Sequence, residues 1–322
     1  MYHVAALYKF TKLTDPDQLR AEVLPGMKSR KISGTLIFAK EGVNGTVAGS
    51  KDALDWLMDE LSRKARLTAN DIKWSTASEQ PFKRTKIKIN PEIVTLREDG
   101  VDAANNTGEF VPPDQWNKLL EDPDTIVIDT RNFYETEIGT FKGAIDPKTD
   151  SFTDFPDYVQ KTLDPKKHEK VAMYCTGGIR CEKASAYMKK LGFKNVYQLH
   201  GGILKYLENV PPEQSLWEGE CFVFDDRVAV RHGLEEGDSV MCYGCGYPLT
   251  QKDQQHPHFE DGVCCARCYN DHSEDRKQVL RGVGHVGQDE RPVALPVRRL
   301  PVRPAFDVRR DSLLPALEDN QP

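Results

Sequence analysis

Cys175 is the residue of this sequence that is best placed to do chemistry. It follows the apolar residues 171–174, opens the loop 175–181 (CTGGIRC) and precedes a helix-like segment. A strand that delivers a cysteine into a short glycine-containing loop, with a helix behind it, places the sulfur where backbone N–H groups and a helix dipole converge. Such a position favours an anion, and Arg180 adds a second cationic contribution that depresses a thiol pKa. We therefore predict that Cys175 is a nucleophile, the alternative being a buried inert thiol.

Cys181 has two interpretations of equal standing. It lies in the first turn of the predicted helix, where it either packs against the sheet or acts as a resolving thiol for an oxidised or persulfidated Cys175. Asp129 stands at the end of another predicted strand, 125–129. Ligands of parallel α/β sheets bind at the carboxyl ends of strands, so Asp129 and Cys175 are expected at one edge.

A second cluster of cysteines lies further along the chain. Five of the eight cysteines fall between Cys242 and Cys268, which in a reducing compartment indicates metal binding rather than disulfides. Two CxxC pairs have the spacing of a tetrahedral structural zinc site, and their members are Cys242, Cys245, Cys265 and Cys268. Cys264 is an alternative ligand, with His256, His258 and His272 in reserve. Free reduced thiols in a loop-rich region are the other interpretation.

A basic run precedes and enters a predicted strand at 85–89. Its charged members are Lys83, Arg84, Lys86 and Lys88. The strand period places Lys86 and Lys88 on one face, which is either an ordinary solvated face or a contact for RNA phosphates, extended by Lys28, Arg30 and Lys31.

The first 95 residues alternate strand-like and helix-like patterns. Strands are predicted at 4–8, 35–39, 45–48, 72–74 and 85–89, with helices at 15–27 and from Ser50 onward. The order β-α-β-β-α-β is the ferredoxin-like pattern, so we predict a ferredoxin-like (acylphosphatase-like) domain over 1–95.

The rest of the chain divides into four further segments. Residues 96–120 are polar and predict a linker that leads into a helix, and residues 121–216 predict a mostly parallel α/β domain. Residues 217–275 form the cysteine-rich, zinc-binding region. The arginine- and proline-rich tail, 276–322, is expected to be disordered or ordered only on a partner.

Composition limits the classes of function. At 322 residues, with 39% hydrophobic and 29% charged residues, the chain is a multidomain globular protein. No stretch approaches the roughly 18 apolar residues of a membrane span, and the first residues lack a secretion signal, so we expect a cytoplasmic protein with no membrane partner. The net charge of −6 argues mildly against nucleic acid but permits a local basic patch. No feature requires an obligatory protein partner.

The central segment resembles the rhodanese domain. The resemblance rests on residues 129–131 (DTR), then Glu135, Gly139 and residues 143–144, followed by the loop 175–180. It implies that the loop directs N–H groups at a persulfide or other anion and that Asp129 and Arg131 brace the site. The plainer interpretation of Asp129 and Arg131 is a buried structural ion pair, and the two residues can have both roles at once. Thr140 is a departure, since rhodanese domains often carry histidine there.

Cysteine phosphatases use a similar loop that is one residue longer. Only four residues separate Cys175 from Arg180, so the loop should enclose a smaller oxyanion or sulfur species better than a phosphate monoester. We therefore expect no phosphatase activity.

Over residues 1 to about 270 the sequence also resembles the tRNA uridine(34) hydroxylase family. The matching strings are residues 8–10 (YKF), 41–45 (EGVNG), 129–132 (DTRN), 173–183 (MYCTGGIRCEK) and the paired CxxC motifs. The resemblance implies oxygen-dependent hydroxylation of the wobble uridine to 5-hydroxyuridine in tRNA, with Cys175 essential and the anticodon stem-loop as the partner. The resemblance therefore also implies molecular oxygen as co-substrate. No flavin or nicotinamide motif is present, and no sequence feature shows where oxygen is activated.

Three functions are compatible with these sequence features. A Cys175 thiolate adding to C6 of the pyrimidine would make C5 electron-rich and open to an oxygen species, and an anticodon loop offers the base already unstacked. The alternative enzyme is a thiosulfate or persulfide sulfurtransferase with Cys175 as sulfur carrier and Arg180 attracting the donor anion. A non-enzymatic zinc- and RNA-binding module is the third.

Overall fold

The computed structural model describes residues 1–283. The part of the predicted tail from residue 284 onward lies outside the described residues. No helix within residues 1–283 is both long and apolar enough to cross a membrane.

The first domain is a helix-covered sheet. Its elements are β1 (Tyr2–Phe10), α1 (Pro16–Ser29), β2 (Ser33–Ala39), β3 (Gly42–Gly49), α2 (Lys51–Ala65), β4 (Ile72–Ala77) and β5 (Thr85–Ile89). The strand order is β4-β1-β3-β2-β5. The pairs among β1 to β4 are antiparallel, and β5 adds to the edge parallel to β2. This arrangement confirms the predicted ferredoxin-like pattern.

Local sequence sets the two helices of the first domain. Asp15 caps α1 by accepting the N–H of Gln18 at 2.9 Å, and Pro16 follows in the first turn, where its missing N–H costs nothing. In α2, Leu54, Leu57 and Leu61 recur at helical spacing and are completely buried. They pack against the sheet, so the opposite faces of β1 and β4 remain available for other contacts.

The second domain is a parallel α/β sheet. Its elements are β6 (Glu109–Val111), α3 (Pro113–Leu120), β7 (Thr125–Asp129), α4 (Phe133–Thr136), β8 (Gly139–Phe141), α5 (Phe155–Thr162), β9 (Lys170–Tyr174), α6 (Ile179–Lys190), β10 (Asn195–Leu199) and α7 (Gly202–Asn209). The sheet has the order β6-β10-β9-β7, all parallel. Asp129 lies opposite Tyr174 in register, so the loops after β7 and β9 leave the same edge of the sheet.

The segment predicted as a linker contributes to this sheet. Residues 109–120 form β6 and α3, and β6 pairs with β10. Composition conceals this strand because it is a short edge strand whose Glu109 and Phe110 face outward.

Residues 217–241 also differ from their predicted grouping with the cysteine-rich region. β11 (Trp217–Gly219) pairs with β8, and Trp217, Cys221 and Val230 pack in the core of the second domain. Five further short elements follow β11. They are the paired strands β12 (Cys221–Phe222) and β13 (Ala229–Val230), the paired strands β14 (Val240–Met241) and β15 (Pro248–Leu249), and the helical turn α8 (Gln251–Gln254).

A separate compact unit contains Cys242–Gly246 and, of the described residues, those from 257 to 283. It includes α9 (Glu274–Val283), so the predicted tail begins inside a helix. Arg281 of α9 donates to both carboxylate oxygens of Glu260, at 2.6 and 2.7 Å.

Lys183 of α6 joins the first two domains. Its ammonium donates to Glu41 and to the carbonyl of Val94, each at 2.8 Å, and to Glu92, while only 3% of its side chain is exposed. Glu41 lies in the turn between β2 and β3. The strings 41–45 and 173–183, which carry the family resemblance, therefore meet at this interface.

We expect Lys183→Met to lower the free energy of unfolding by about 2 kcal/mol or more, because it leaves two partly buried carboxylates facing each other without their cation. Lys161→Met is the matched control. Lys161 is 76% exposed and forms only an i,i+4 pair with Asp157, so its loss should change stability by no more than about 0.5 kcal/mol. Urea denaturation measures both, and equal small effects would show that solvent already compensates Glu41 and Glu92.

Candidate active site

The loop between β9 and α6 holds the Cys175 sulfur in a backbone cradle. Cys175 is 1% exposed, and the N–H of Gly178 donates to its Sγ at 3.1 Å. Gly178 has φ 104°, in the left-handed region, and directly precedes α6. The sulfur therefore sits at a helix N-terminus, as the sequence predicts.

The start of α7 fixes the other side of this loop. The N–H groups of Ile203 and Leu204 donate to the carbonyls of Cys175 and Thr176, at 3.0 and 3.1 Å. A Cβ on Gly202 would lie 2.5 Å from the Cys175 carbonyl oxygen, so this close approach requires glycine. With its first carbonyls turned to α7, the loop presents N–H groups to the sulfur.

These contacts favour the thiolate of Cys175. Burial alone would raise its pKa, but the Cys181 thiol, the charge of Arg180 and the N–H groups of Cys181 and Gly178 together lower the pKa of Cys175 below its ordinary value. Burial and the neighbouring Cys175 raise the pKa of Cys181 well above its ordinary value. The pair thus comprises a thiolate at 175 and a thiol at 181.

Arg180 has a buried carboxylate partner that the sequence reasoning did not assign to it. Its two terminal nitrogens donate to the two oxygens of Glu135 at 2.6 and 2.8 Å, and the Glu135 side chain is fully buried. Burial opposes the charge on Glu135, yet Arg180 lowers the pKa of this carboxyl below its ordinary value. Glu135 is part of the rhodanese-like sequence pattern, and its place in that pattern is the sequence signal that could have identified it as a site residue.

Asp129 and Arg131 form a fully buried ion pair beside this arrangement. Arg131 donates to Asp129 at 2.6 Å through one terminal nitrogen and through Nε at 3.0 Å. It also donates to the carbonyls of Glu135 and Gly139, at 3.2 and 2.7 Å. The pair therefore holds the segment that presents Glu135 to Arg180.

Cys181 and Thr140 lie near these groups. Cys181 is fully buried, with its sulfur 3.5 Å from the Thr130 hydroxyl. Thr140, at the position where rhodanese domains often have histidine, exchanges a 2.9 Å hydrogen bond with the hydroxyl of Tyr174. Thr140 thus supports the core behind the loop.

A cavity of about 370 Å³ opens above Cys175. Its wall includes residues of the strands β1, β3 and β4 of the first domain, of the loop 175–180, and of the stretch 223–234. Cys175 and Arg180 both line it. The thiolate therefore faces an open cavity large enough for a small ring system.

Three further residues of the site emerge only from the structure. The Tyr8 hydroxyl donates to Glu182 at 2.7 Å and would lie 2.7 Å from a Cβ at Gly178, so the first domain rests directly on the loop. Lys73 lies with its ammonium 4.3 Å from the Tyr8 ring centre. Burial raises the pKa of Glu182 to about 7 and lowers the pKa of Lys73 to about 8. Tyr8 and Glu182 occur in the sequence strings that carry the family resemblance. Nothing in the sequence marked Lys73 beyond its place in a predicted strand.

The basic run lies away from this cavity. Lys86 and Lys88 are exposed on one face of the edge strand β5, as predicted, and Lys83 and Arg84 are exposed just before it. Other residues form the cavity wall. The structure thus separates the predicted nucleophile from the predicted phosphate contacts.

The four cysteines of the paired CxxC motifs converge in the separate unit. Their sulfurs lie within 4.8 Å of one another, with 3.7 Å between Cys242 and Cys268 and between Cys245 and Cys265. Cys264 is apart from them and its thiol faces the carbonyl of His258 at 3.6 Å. This group could hold a metal ion, and within the described residues it contains neither Cys264 nor a histidine.

Comparison with known proteins agrees with the two domains and extends beyond them. Residues 2–93 match the family described as UPF0176 acylphosphatase like domain, and residues 112–209 match the rhodanese-like domain. A tRNA uridine(34) hydroxylase from Teredinibacter turnerae is 54% identical over 276 residues, covering 86% of this chain and 86% of that protein.

Solved structures are similar to about a third of this chain. The rhodanese-like domain of an Anabaena sp. protein is 20% identical and covers 35% of this chain and 80% of its own, with a TM-score of 0.29. A rhodanese-related protein from Thermoplasma volcanium is 22% identical and covers 32% of this chain and 95% of its own, with a TM-score of 0.27.

We predict that Cys175 titrates well below an ordinary thiol. Subtracting the ultraviolet thiolate titration of Cys175→Ser from that of the wild type should give one thiolate that persists into the acid range and protonates as the pH falls through its lowered pKa. Alkylation at Cys175 should decline over the same range.

Cys221→Ser is the control for this titration. Burial raises the pKa of Cys221 to about 12, so its removal should leave the acid side of the curve unchanged. A Cys175 titration at or above the ordinary thiol value would contradict the thiolate assignment.

Proposed function

Because this chain belongs to the tRNA uridine(34) hydroxylase family, we propose that it is an oxidoreductase that converts the wobble uridine of tRNA to 5-hydroxyuridine. The observation that carries this proposal is the Cys175 thiolate in a cavity whose wall includes three strands of the first domain. A plain sulfur carrier would not need a second domain at its cysteine.

The chemistry begins with addition of the thiolate to C6 of the uracil ring. This step forms a sulfur–carbon bond, breaks the C5–C6 π bond and moves its electrons toward C5 and O4. C5 then attacks the terminal oxygen of a peroxide, the species that two electrons from an external reductant generate from molecular oxygen, the co-substrate. The C5–O bond forms as the O–O bond breaks, and the second oxygen atom leaves as water. Loss of the C5 proton and of the thiolate from C6 restores the double bond and frees Cys175.

Two groups suit these steps: Lys73, which lines the cavity, and Glu182, which contacts the cavity-lining Tyr8. Lys73 carries a cation into the same space and would favour the negative charge that develops on the ring. Glu182 has a pKa of about 7, so near neutral pH it can take up and release a proton through its hydrogen bond with Tyr8. In this scheme Cys175 is the catalytic residue, whereas Arg180, Asp129 and Arg131 are positioning residues that keep it ionised and in place.

The proposed partner is the anticodon stem-loop. Its wobble base is unpaired, so it can enter the cavity without the cost of opening a duplex. The first domain, over 1–95, would hold the stem, with Lys83, Arg84, Lys86 and Lys88 as phosphate contacts. A tRNA substrate in turn supports a cytoplasmic location.

The four-cysteine cluster fits structural zinc. A zinc–sulfur bond of about 2.3 Å gives sulfur separations of about 3.8 Å in a tetrahedron. The measured 3.7 Å for two pairs and 3.9 Å between Cys265 and Cys268 agree with that geometry. We assign the zinc a structural role, because it would hold together a segment with few hydrophobic residues of its own.

A sulfurtransferase is the second candidate, and the Gly178 N–H that faces Cys175 favours it, since such a cradle also suits a persulfide. Cys181 could then act as the resolving thiol. Against it, Glu135 already neutralises Arg180, the residue expected to attract a donor anion.

The proposed function is tested in cells that lack this gene and carry either the wild type or Cys175→Ala. Mass spectrometry of tRNA nucleosides should show 5-hydroxyuridine and its derivatives at the wobble position with wild type, and their loss with Cys175→Ala. Unchanged wobble nucleosides after deletion would refute the hydroxylase proposal. Full activity of Cys175→Ala would favour the non-enzymatic module, and loss of persulfide transfer alone would favour the sulfurtransferase.

The zinc proposal predicts about one zinc ion per chain in purified protein and its loss in Cys242→Ser. Cys264→Ser is the matched control, a buried neighbouring cysteine outside the group of four, and should retain the metal. Elemental analysis distinguishes these outcomes. Equal zinc in all three proteins, or none in the wild type, would contradict the assignment.

A further inference from the structure

Phe224 is a large aromatic side chain that the proposed chemistry does not use. It is 60% exposed, yet it lines the mouth of the cavity that contains Cys175. A phenylalanine side chain that stays mostly exposed gains little hydrophobic stabilisation from folding. Its position at the entrance therefore points to a role in binding the molecule that enters the cavity.

The turn that carries Phe224 is held rigidly. Val223 donates its N–H to the carbonyl of Val228 at 2.9 Å, which closes the turn between β12 and β13. The Asp225 carboxylate accepts two bonds from Arg227, at 2.6 and 2.8 Å, and Arg227 also donates to the Ser75 hydroxyl of β4 at 2.9 Å. The turn is thereby fixed to the first domain.

The ring itself is also supported from one side. Phe222 is a buried residue whose ring centre lies 5.1 Å from that of Phe224, at an interplanar angle of 88°. An edge-on contact of this kind fixes the orientation of the Phe224 ring while leaving a face open. A preorganised aromatic face loses little conformational entropy when a ligand stacks on it.

We propose that Phe224 is a stacking platform for the unpaired nucleobase next to the target uridine in the anticodon loop. This inference rests on the proposed function. A cavity of about 370 Å³ accommodates one nucleotide, so a uridine that reaches Cys175 leaves its flanking nucleotides at the mouth, where Phe224 lies. Bases of a single-stranded loop are free to stack on such a ring, and Lys73 adds a cation to the cavity wall that favours RNA.

The test uses the full chain and an anticodon stem-loop RNA with uridine at the wobble position. Phe224→Ala should raise the Kd about ten-fold or more, and Phe224→Trp should bind at least as tightly as the wild type. Phe224→Leu, apolar but without a π face, should resemble the alanine variant. Phe110→Ala is the matched control, because Phe110 is also an exposed phenylalanine, at 43%, but lies on β6 outside the cavity wall.

A second set of RNAs identifies the contact. One RNA has an abasic nucleotide on the 5′ side of the target uridine, and the other has it on the 3′ side. Wild type and Phe224→Ala should bind with equal affinity to the RNA that lacks the stacked base, and with different affinities to the other RNA. An undiminished affinity of Phe224→Ala for intact RNA, full retention by Phe224→Leu, or an equal loss with both abasic RNAs would overturn the inference. A failure of the proposed function looks different, since the wild type itself would then neither bind nor modify this RNA.

Discussion

A thiolate buried to 1% exposure needs compensating charge, and this requirement organises the site. Arg180 supplies the nearest cation, but a buried arginine needs its own partner, which is Glu135. The segment that carries Glu135 is in turn held by Arg131, whose charge Asp129 balances. The buried charges thus alternate in sign from the sulfur to the sheet. Removing one member leaves its neighbour buried without compensation, so the two separated motifs act as one unit.

The fold meets this requirement with ordinary elements. Two adjacent parallel strands end together, so their loops share one edge of the sheet, and N–H groups of α7 donate to the carbonyls of the Cys175 loop. The first domain then covers that edge. Its Tyr8 lies on the loop, and its Glu41 and Glu92 bind Lys183 of the second domain. Covering the site reduces the exposure of the thiolate to 1% and shapes a cavity at the same time. The domain interface is therefore part of the site.

The features that could be predicted from the sequence are those that local sequence patterns determine. The ferredoxin-like order, the parallel strands, Cys175 at a helix N-terminus and the four converging cysteines each depend on short-range patterns that periodicity and spacing report. The pairing of Glu135 with Arg180 and the contributions of Lys73 and Phe224 depend on contacts between residues far apart in the chain. Single residues of these types carry no periodic signal. The strand β6 was concealed for another reason, because its outward-facing polar and aromatic residues resemble a linker.

The central claim is that the Cys175 sulfur bonds to C6 of the target uridine, and trapping that bond tests it most directly. A tRNA with 5-fluorouridine at the wobble position should form a covalent adduct, since fluorine on C5 cannot leave as the proton does. Denaturing mass spectrometry should find the RNA on the peptide that contains Cys175, and none with Cys175→Ser. An enzyme that hydroxylates normal tRNA yet forms no adduct, or forms it at another residue, would contradict this account.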